Sequence, residues 1–341
     1  MTAELSPAVA DAVRNLIDVL GPVRDRRLAE ELLRSATGMI ADQPATLDLK
    51  IAASAVLEMR DAYAMFAPYR DRKKVAIFGS ARTAADDPLY QQAREVAKQL
   101  GDHGWMVITG AGPGIMQAAM EGAGRDMSIG VSIRLPFEQG ANPIIAGDAK
   151  YVSMKYFFTR KLMLIKESSA FVCLPGGFGT LDEMFELLTL TQTGKGLPVP
   201  IVFLDTPGDD YWENVAELID DQLVARGLVA AADTDLYLIT ESAEDAVTEI
   251  DHFYANYDSL RYVGDLLVVR MKMSPTDAQL AQLNAEFGHL CIRGSIGRIA
   301  ALPLEVKEND NLDLQRVAFV FAKHGFGDLR QMIDMLNTFV L

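Results

Sequence analysis

Helical spacing of apolar residues dominates the first 70 positions of the chain. Apolar side chains between 9 and 20 recur at intervals of three and four, and a Gly-Pro pair ends that pattern. Two further segments, 28–40 and 47–66, follow the same period. We therefore predict a helical N-terminal extension over residues 1–72.

From residue 75 the pattern changes to short apolar runs that alternate with helical segments. The apolar runs are 75–78, 106–109, 129–133, 170–174 and 199–204. The helical segments are 89–100, 115–123, 158–167, 181–192, 211–223 and 243–253. Strands that are apolar throughout are typical of a parallel sheet covered on both faces. We predict an α/β fold, with a Rossmann-like doubly wound sheet over residues 73–257 and a ligand crevice at the strands' carboxyl ends.

The last part of the chain mixes strands and helices in a different order. The predicted elements are a strand at 266–270, a helix at 275–287, short strands near 290 and 299, a strand at 317–321 and a helix from 327. This pattern predicts a small α+β domain over residues 258–341, with a regulatory or structural role.

The charge of the chain narrows the choice of partners. Its 341 residues carry 32 Lys and Arg against 47 Asp and Glu, a formal net charge of −15. So acidic a balance argues against nucleic acid or an anionic membrane surface as the main partner, although a small anion remains possible. No apolar run approaches about 18 residues and no signal peptide is evident, so we predict a cytoplasmic location.

Cysteine and histidine give no sign of a metal centre. The two cysteines, Cys173 and Cys291, are too few for a disulfide scaffold or a four-thiolate site. Cys173 lies in an apolar run and is interpreted as a small buried side chain. The four histidines show no ligand spacing. We predict no metal and no cofactor.

Three glycine-rich turns follow strands of the predicted parallel sheet, at 78–82, 109–116 and 174–183. Glycine lets backbone N–H groups approach an anion, and a helix N-terminus adds a favourable dipole. Turns at one edge of one sheet can therefore form a phosphate cradle. The predicted phosphate contacts are Gly79, Ser80, Gly110, Gly112, Gly114, Gly176, Gly177, Gly179 and Thr180. The alternative is that each turn only joins a strand to a helix.

Two familiar nucleotide motifs are absent. The dinucleotide fingerprint needs a third glycine at position 115, where the chain has Ile115, and no acidic residue stands about 20 positions further on. The phosphate-loop pattern fails as well, because Gly194-Lys195 is followed by glycine rather than Ser or Thr. NAD binding and ATP hydrolysis are therefore disfavoured.

The stretch 175–183, with the sequence Pro-Gly-Gly-Phe-Gly-Thr-Leu-Asp-Glu, is the most specific signal in the chain. Thr180 and Glu183 also fit a helix capping box, which would give Glu183 a purely structural role. The stretch resembles the LOG (Lonely Guy) family of nucleotide phosphoribohydrolases, whose hallmark is P-G-G-x-G-T-x-x-E. Residues 160–164 resemble the family's R-K-x-x-M element.

The likeness covers about residues 75–250. The stretches 112–116, 135–138 and 156–160 resemble the longer bacterial members rather than the short plant form. The short form's Met-His pair ahead of the arginine is absent, and Phe157 and Phe158 stand near that place. This departure bears on base specificity.

The resemblance implies hydrolysis of the N-glycosidic bond of a nucleoside 5′-monophosphate, such as AMP or a cytokinin riboside monophosphate, to free base and ribose 5-phosphate. It implies a catalytic pair at Arg160 and Glu183, and a homodimer or higher homo-oligomer. Lys161 is either a second phosphate contact or a solvated side chain. Family members are also labelled possible lysine decarboxylases, but no lysine here stands in a recognisable setting for the Schiff base of pyridoxal phosphate.

A function of a different class also fits the same fold. A non-catalytic mononucleotide sensor or carrier would use the same glycine turns, with the C-terminal part reporting occupancy. The Arg160 and Glu183 pair discriminates the two hypotheses, because a protein that only binds nucleotide has no need of the carboxylate.

Overall fold

The computed structural model describes residues 6–135 and 140–340. Most of the 135–138 stretch, which carries part of the family resemblance, lies outside the described residues. Contacts divide the chain into two compact units, one ending at Asp61 and the other beginning at Ala62. Within the described ranges, no helix combines the length and the apolar character that a membrane crossing requires.

The N-terminal helices are those that the apolar spacing predicts. They are α1 (Pro7–Leu20), α2 (Arg26–Ala41) and α3 (Thr46–Phe66). Side-chain caps fix where the first two begin. Ser6 Oγ accepts the N–H of Val9 at 3.4 Å, and Asp25 Oδ1 accepts the N–H of Leu28 at 3.0 Å.

A seven-stranded parallel sheet forms the centre of the second unit, in the order β4-β3-β2-β1-β5-β6-β7. The strands are β1 (Lys74–Phe78), β2 (Met106–Thr109), β3 (Ser128–Ile133), β4 (Tyr151–Met154), β5 (Ala170–Cys173), β6 (Ile201–Leu204) and β7 (Leu238–Thr240). The predicted doubly wound sheet is confirmed. Apolar patterning missed β4 and β7, which are short edge strands and only partly buried.

Five helices in the described part of the chain connect these strands, and a sixth follows β7. The connecting helices are α4 (Pro88–Asp102), α5 (Ile115–Ala123), α6 (Phe157–Lys166), α7 (Phe178–Gln192) and α8 (Tyr211–Ile219), and the sixth is α9 (Ala243–Phe253). After β1, the chain adds β2, β3 and β4 in turn on one side of it. The chain then returns and adds β5 on the other side, so β1 pairs with both β2 and β5. Such a reversal leaves a crevice at the strands' carboxyl ends.

An antiparallel sheet follows in the C-terminal part, in the order β10-β11-β9-β8. Its strands are β8 (Tyr257–Val263), β9 (Leu266–Met271), β10 (Cys291–Arg298) and β11 (Gln315–Phe321), and its helices are α10 (Asp277–Phe287), α11 (Pro303–Glu308) and α12 (Phe326–Thr338). The predicted α+β pattern is confirmed, with the single strand β10 in place of two short ones. One hydrophobic core contains residues of both sheets, such as Val75 and Val269. The predicted domain boundary at 257/258 lies inside this unit and stays a prediction.

Candidate active site

The three glycine turns lie at one edge of the parallel sheet, since they follow the neighbouring strands β2, β1 and β5. The main chain of Ser80 is in the middle of the group. Its carbonyl oxygen accepts the N–H of Ile115 at 3.0 Å. A Cβ atom added at Gly114 would lie 2.3 Å from that oxygen, and one at Gly176 would lie 3.1 Å from the Ser80 nitrogen. Gly79 packs against Ile115, because its Cβ would lie 2.6 Å from Ile115 Cγ2. The turns therefore touch, as the sequence predicts.

Helix α7 begins with unsatisfied main-chain donors. Gly177 is its N-cap residue, and no side chain that the structure describes caps it. Thr180 lies within the first turn of the helix. The capping-box interpretation of Thr180 and Glu183 is therefore wrong. Among the described residues, the N–H groups of 176–179 donate no hydrogen bond. These donors, together with the helix dipole, suit an anion.

The glycines of the second turn make room for other side chains. A Cβ at Gly110 would lie 2.5 Å from Arg160 Nη2 and 2.7 Å from Met116 Sδ. A Cβ at Gly112 would lie 2.7 Å from Met116 Cε. By contrast, a Cβ at Gly177 or Gly179 would have no neighbour within 4 Å among residues 6–135 and 140–340. Of the glycines in the three turns, these two alone leave open space with respect to those residues, and contact with phosphate stays a prediction for all of them.

Arg160 and Glu183 form an ion pair at this edge of the sheet. Arg160 lies in α6, and its Nη1 donates to Glu183 Oε1 at 3.2 Å. Arg160 Nε donates to the carbonyl oxygen of Val131, in β3, at 3.1 Å. The two side chains are only 12% and 7% exposed. The pair that the resemblance implies is therefore formed and is not a surface ion pair, while its catalytic role stays a prediction.

The carboxyl group of Glu183 is in an unusual electrostatic setting. Burial raises its pKa, and the nearby charges of Arg160 and Lys161 only partly oppose that effect. Its Oε2 atom is buried and accepts no hydrogen bond from the described residues. Lys161 Nζ lies 3.4 Å from Oε2, an ion-pair distance. Buried polar atoms left in this state are typical of functional sites.

Lys161 is not a solvated side chain. It is 13% exposed, and its Nζ lies 2.6 Å from Glu186 Oε2 and 3.0 Å from Asp182 Oδ2. Burial acts to lower the pKa of Lys161, but the hydrogen bonds to Glu186 and Asp182 outweigh burial and raise it. The solvated interpretation of Lys161 is wrong. Lys161 instead neutralises the acidic face of α7 around Glu183, and a contact with phosphate stays a prediction.

Tyr211 is part of the site and has no signal in the sequence. Its hydroxyl donates to the carbonyl oxygen of Gly176 at 2.7 Å, which fixes the third glycine turn. Asp205, at the end of β6, accepts the N–H of Trp212 at 2.9 Å and so helps fix where α8 begins. Burial raises the pKa of Asp205 to about 6. Only the sheet order, which places β6 beside β5, brings Tyr211 to this turn.

Metal ligands do not cluster in the part of the chain that the structure describes. No group of three or more His, Cys, Asp or Glu side chains there is placed to hold an ion. Cys173 is buried, as predicted, and burial raises the pKa of its thiol well above the ordinary value.

Comparison with known proteins gives a consistent match in the parallel-sheet region. A family model described as "Possible lysine decarboxylase" matches residues 114–250. A cytokinin riboside 5′-monophosphate phosphoribohydrolase of Arabidopsis thaliana is 24% identical over 208 residues, 60% of this chain and 94% of that protein. A second, from Oryza sativa subsp. japonica, is 28% identical over 177 residues, 50% of this chain and 69% of that protein.

Among solved structures, this chain is similar to the molybdenum cofactor carrier protein of Chlamydomonas reinhardtii, and the match covers 53% of this chain and 96% of that protein. It is 20% identical, with a TM-score of 0.36.

Proposed function

We propose that this chain is a nucleotide phosphoribohydrolase. The resemblance to the LOG family, the matching family model and the relatives support this proposal. It cleaves the N-glycosidic bond of a nucleoside 5′-monophosphate, such as AMP or a cytokinin riboside monophosphate, to free base and ribose 5-phosphate. The observation that carries the proposal is the buried Arg160–Glu183 pair beside three touching glycine turns.

The first glycine turn, the second and the start of α7 hold the 5′-phosphate. The main-chain N–H groups of 176–179 are the donors, and the open space at Gly177 and Gly179 admits the phosphoryl oxygens. Binding energy from this non-reacting group positions the ribose, so that its anomeric carbon C1′ lies beside Glu183.

Glu183 acts on the reacting bond. Cleavage passes through an oxocarbenium-like state, whose positive charge a nearby carboxylate stabilises. As the C1′–N bond breaks, its electron pair goes to the base, which takes up a proton from solvent water. A second water oxygen then bonds to C1′ and passes a proton to Glu183, which releases it to solvent, so that the carboxylate is restored and the net reaction consumes one water. The raised pKa of Glu183 makes the carboxylate a better proton acceptor than an exposed glutamate.

Arg160 keeps Glu183 charged and in place. Its guanidinium is planar and always protonated, and the bond to the Val131 carbonyl oxygen fixes its orientation. The ion pair through Nη1 then holds Oε1 of Glu183 and leaves Oε2 for the reacting water.

A substrate panel tests this proposal against the sensor or carrier alternative. The protein is incubated with AMP, a cytokinin riboside monophosphate and other purine and pyrimidine monophosphates, and free base is followed by chromatography. We expect base release from at least one monophosphate and much slower release from the matching nucleoside, which lacks the phosphate. Tight monophosphate binding without base release would favour the sensor.

Alanine substitutions at neighbouring glycines test the phosphate cradle. In Gly176→Ala the new Cβ would lie 2.1 Å from Thr180 Oγ1, so we expect a stability loss of about 1–3 kcal/mol by denaturant unfolding. In Gly177→Ala the Cβ enters open space, so we expect unchanged stability and a raised KM for the monophosphate. An unchanged KM in Gly177→Ala would exclude the phosphate from that space.

The pH profile of base release reports on Glu183. Because burial raises the pKa of this group, the active carboxylate is lost at a higher pH than an ordinary glutamate would be. We expect the acid limb of kcat/KM to lie above the usual glutamate range. Lys161→Met removes a charge that lowers the Glu183 pKa, and it should move the limb further upward. A limb that does not move would belong to the substrate phosphate, which titrates near pH 6.

We also propose that the chain acts as at least a homodimer. Large apolar side chains are exposed on α6 and on the first turns of α7. They are Phe157, Phe158, Leu162, Phe178 and Phe185. Such a concentration is typical of a surface that another protein covers. Sedimentation should show an active oligomer, and a fully active monomer would contradict this.

A further inference from the structure

A cationic cavity of about 520 Å³ lies at the amino ends of the parallel strands, whereas the glycine turns lie at their carboxyl ends. Lys74 opens β1, and Ser169, just before β5, donates its N–H to the Lys74 carbonyl oxygen at 2.7 Å. Both residues line the cavity. The cavity is therefore at the amino ends of the strands whose carboxyl ends carry the glycine turns. The length of β1, about 15 Å, separates the two places.

Positive charge is concentrated at this cavity. Arg70, Arg72, Lys74 and Lys166 line it, and Glu167 is the one carboxylate among the described residues that line it. Glu167 pairs with Lys166 and lies 3.9 Å from Lys74 Nζ, so it offsets only part of that charge. The chain as a whole has a net charge of −15, so its composition does not account for a cluster of four cations around one cavity.

Lys74 is the buried anchor of this group, at 3% exposed. An ammonium carries three N–H donors. One of them donates to the carbonyl oxygen of Arg72 at 2.9 Å, and the other two have no acceptor within hydrogen-bond distance among the described residues. Burial lowers the pKa of Lys74, with Glu167 opposing and the charges of Lys166 and Arg72 adding to the effect. An anion in the cavity would satisfy these donors and relieve the repulsion between the cations.

Aromatic side chains form another part of the wall. Tyr63 and Phe66, from the end of α3, line the cavity. Phe66 is buried, whereas Tyr63 is 44% exposed and its ring centroid lies 5.3 Å from Lys166 Nζ. The volume is in the range of small-molecule sites, and the wall combines charges with a flat apolar surface.

We propose that this cavity is a second ligand site, distinct from the glycine turns, that binds a polyphosphate group, either free or carried by a nucleotide. Several cations around one cavity match an anion with several charged oxygens better than a single phosphate, because each phosphoryl group offers its own acceptors. The exposed face of Tyr63 would add stacking for a base. The proposal does not depend on the function proposed for Arg160 and Glu183.

Calorimetric titration at low ionic strength with tripolyphosphate tests the site, using the full chain. We expect saturable binding that Lys74→Met weakens about tenfold or more, because a charge-assisted hydrogen bond is lost. Arg70→Gln, an exposed position that does not endanger folding, should weaken binding by a smaller factor. Lys98→Gln, which removes an exposed cation on α4, should leave binding unchanged.

The same titration distinguishes a nucleotide ligand from free polyphosphate, and it distinguishes binding at this cavity from binding at the glycine turns. Tighter binding of ATP than of tripolyphosphate, lost in Tyr63→Ala, would assign the site to a nucleotide, and equal binding would assign it to the polyphosphate alone. Absence of binding would overturn the proposal. The proposal would also be overturned if ribose 5-phosphate displaced the bound tripolyphosphate and neither Lys74→Met nor Arg70→Gln weakened its binding. Tripolyphosphate would then occupy the glycine turns and not this cavity.

Discussion

Glu183→Gln should reduce base release by about three orders of magnitude while monophosphate binding persists. The amide has nearly the shape of the carboxylate, so it can fill the same space against Arg160. It cannot take a proton from water, and it does not carry the negative charge that stabilises the oxocarbenium-like state. The measurements are kcat by chromatography of free base and monophosphate affinity by calorimetry.

Glu186→Gln is the matched control for this variant. Glu186 lies on the same helix and contacts the same Lys161 Nζ, at 2.6 Å, but it is not part of the Arg160–Glu183 pair. We expect Glu186→Gln to keep most of the activity. Since ionised Glu183 is buried at an energetic cost, Glu183→Gln should unfold at the same temperature as the parent or higher. Full activity in Glu183→Gln would refute the assigned role, and activity lost only through unfolding would leave it without support.

Arg160→Met should lower both activity and stability. The substitution leaves Glu183 buried without its closest guanidinium and removes the donor to the Val131 carbonyl oxygen. Breaking a buried ion pair from one side costs about 3 kcal/mol or more, because a buried charge stays uncompensated. The expected stability loss is measured by urea unfolding at neutral pH. We expect base release to fall by about two orders of magnitude or more, since the ribose and the carboxylate lose their positioning.

The double variant Arg160→Met, Glu183→Gln distinguishes a charge effect from simple loss of packing. With both charges removed, its free energy of unfolding should exceed that of Arg160→Met alone. Equal or lower stability in the double variant would mean that Arg160 acts through packing against Gly110 and not through its charge.

Much of the fold can be predicted from the local pattern of apolar and polar residues along the chain. Fully apolar runs identified the central strands of the parallel sheet, because central parallel strands are buried on both faces. The edge strands β4 and β7 and the partly exposed β8 lack such runs, because half-buried strands do not need wholly apolar sequences, and apolar patterning therefore does not predict them. The chain also departs from the R-K-x-x-M element, because Met163 stands one position early and Leu164 occupies the last place.

The alternation of strands and helices, the glycine turns and the Arg160 and Glu183 candidates depend on residue type and spacing along the chain, so they can be predicted without a structure. Which atoms are in contact depends on the folded chain. In the fold, Gly110 leaves space for the Arg160 guanidinium, Lys161 lies among carboxylates, Tyr211 contacts Gly176, and several cations lie around Lys74. Contacts of this kind join positions far apart in the chain, and only the order in which the strands assemble sets their distances.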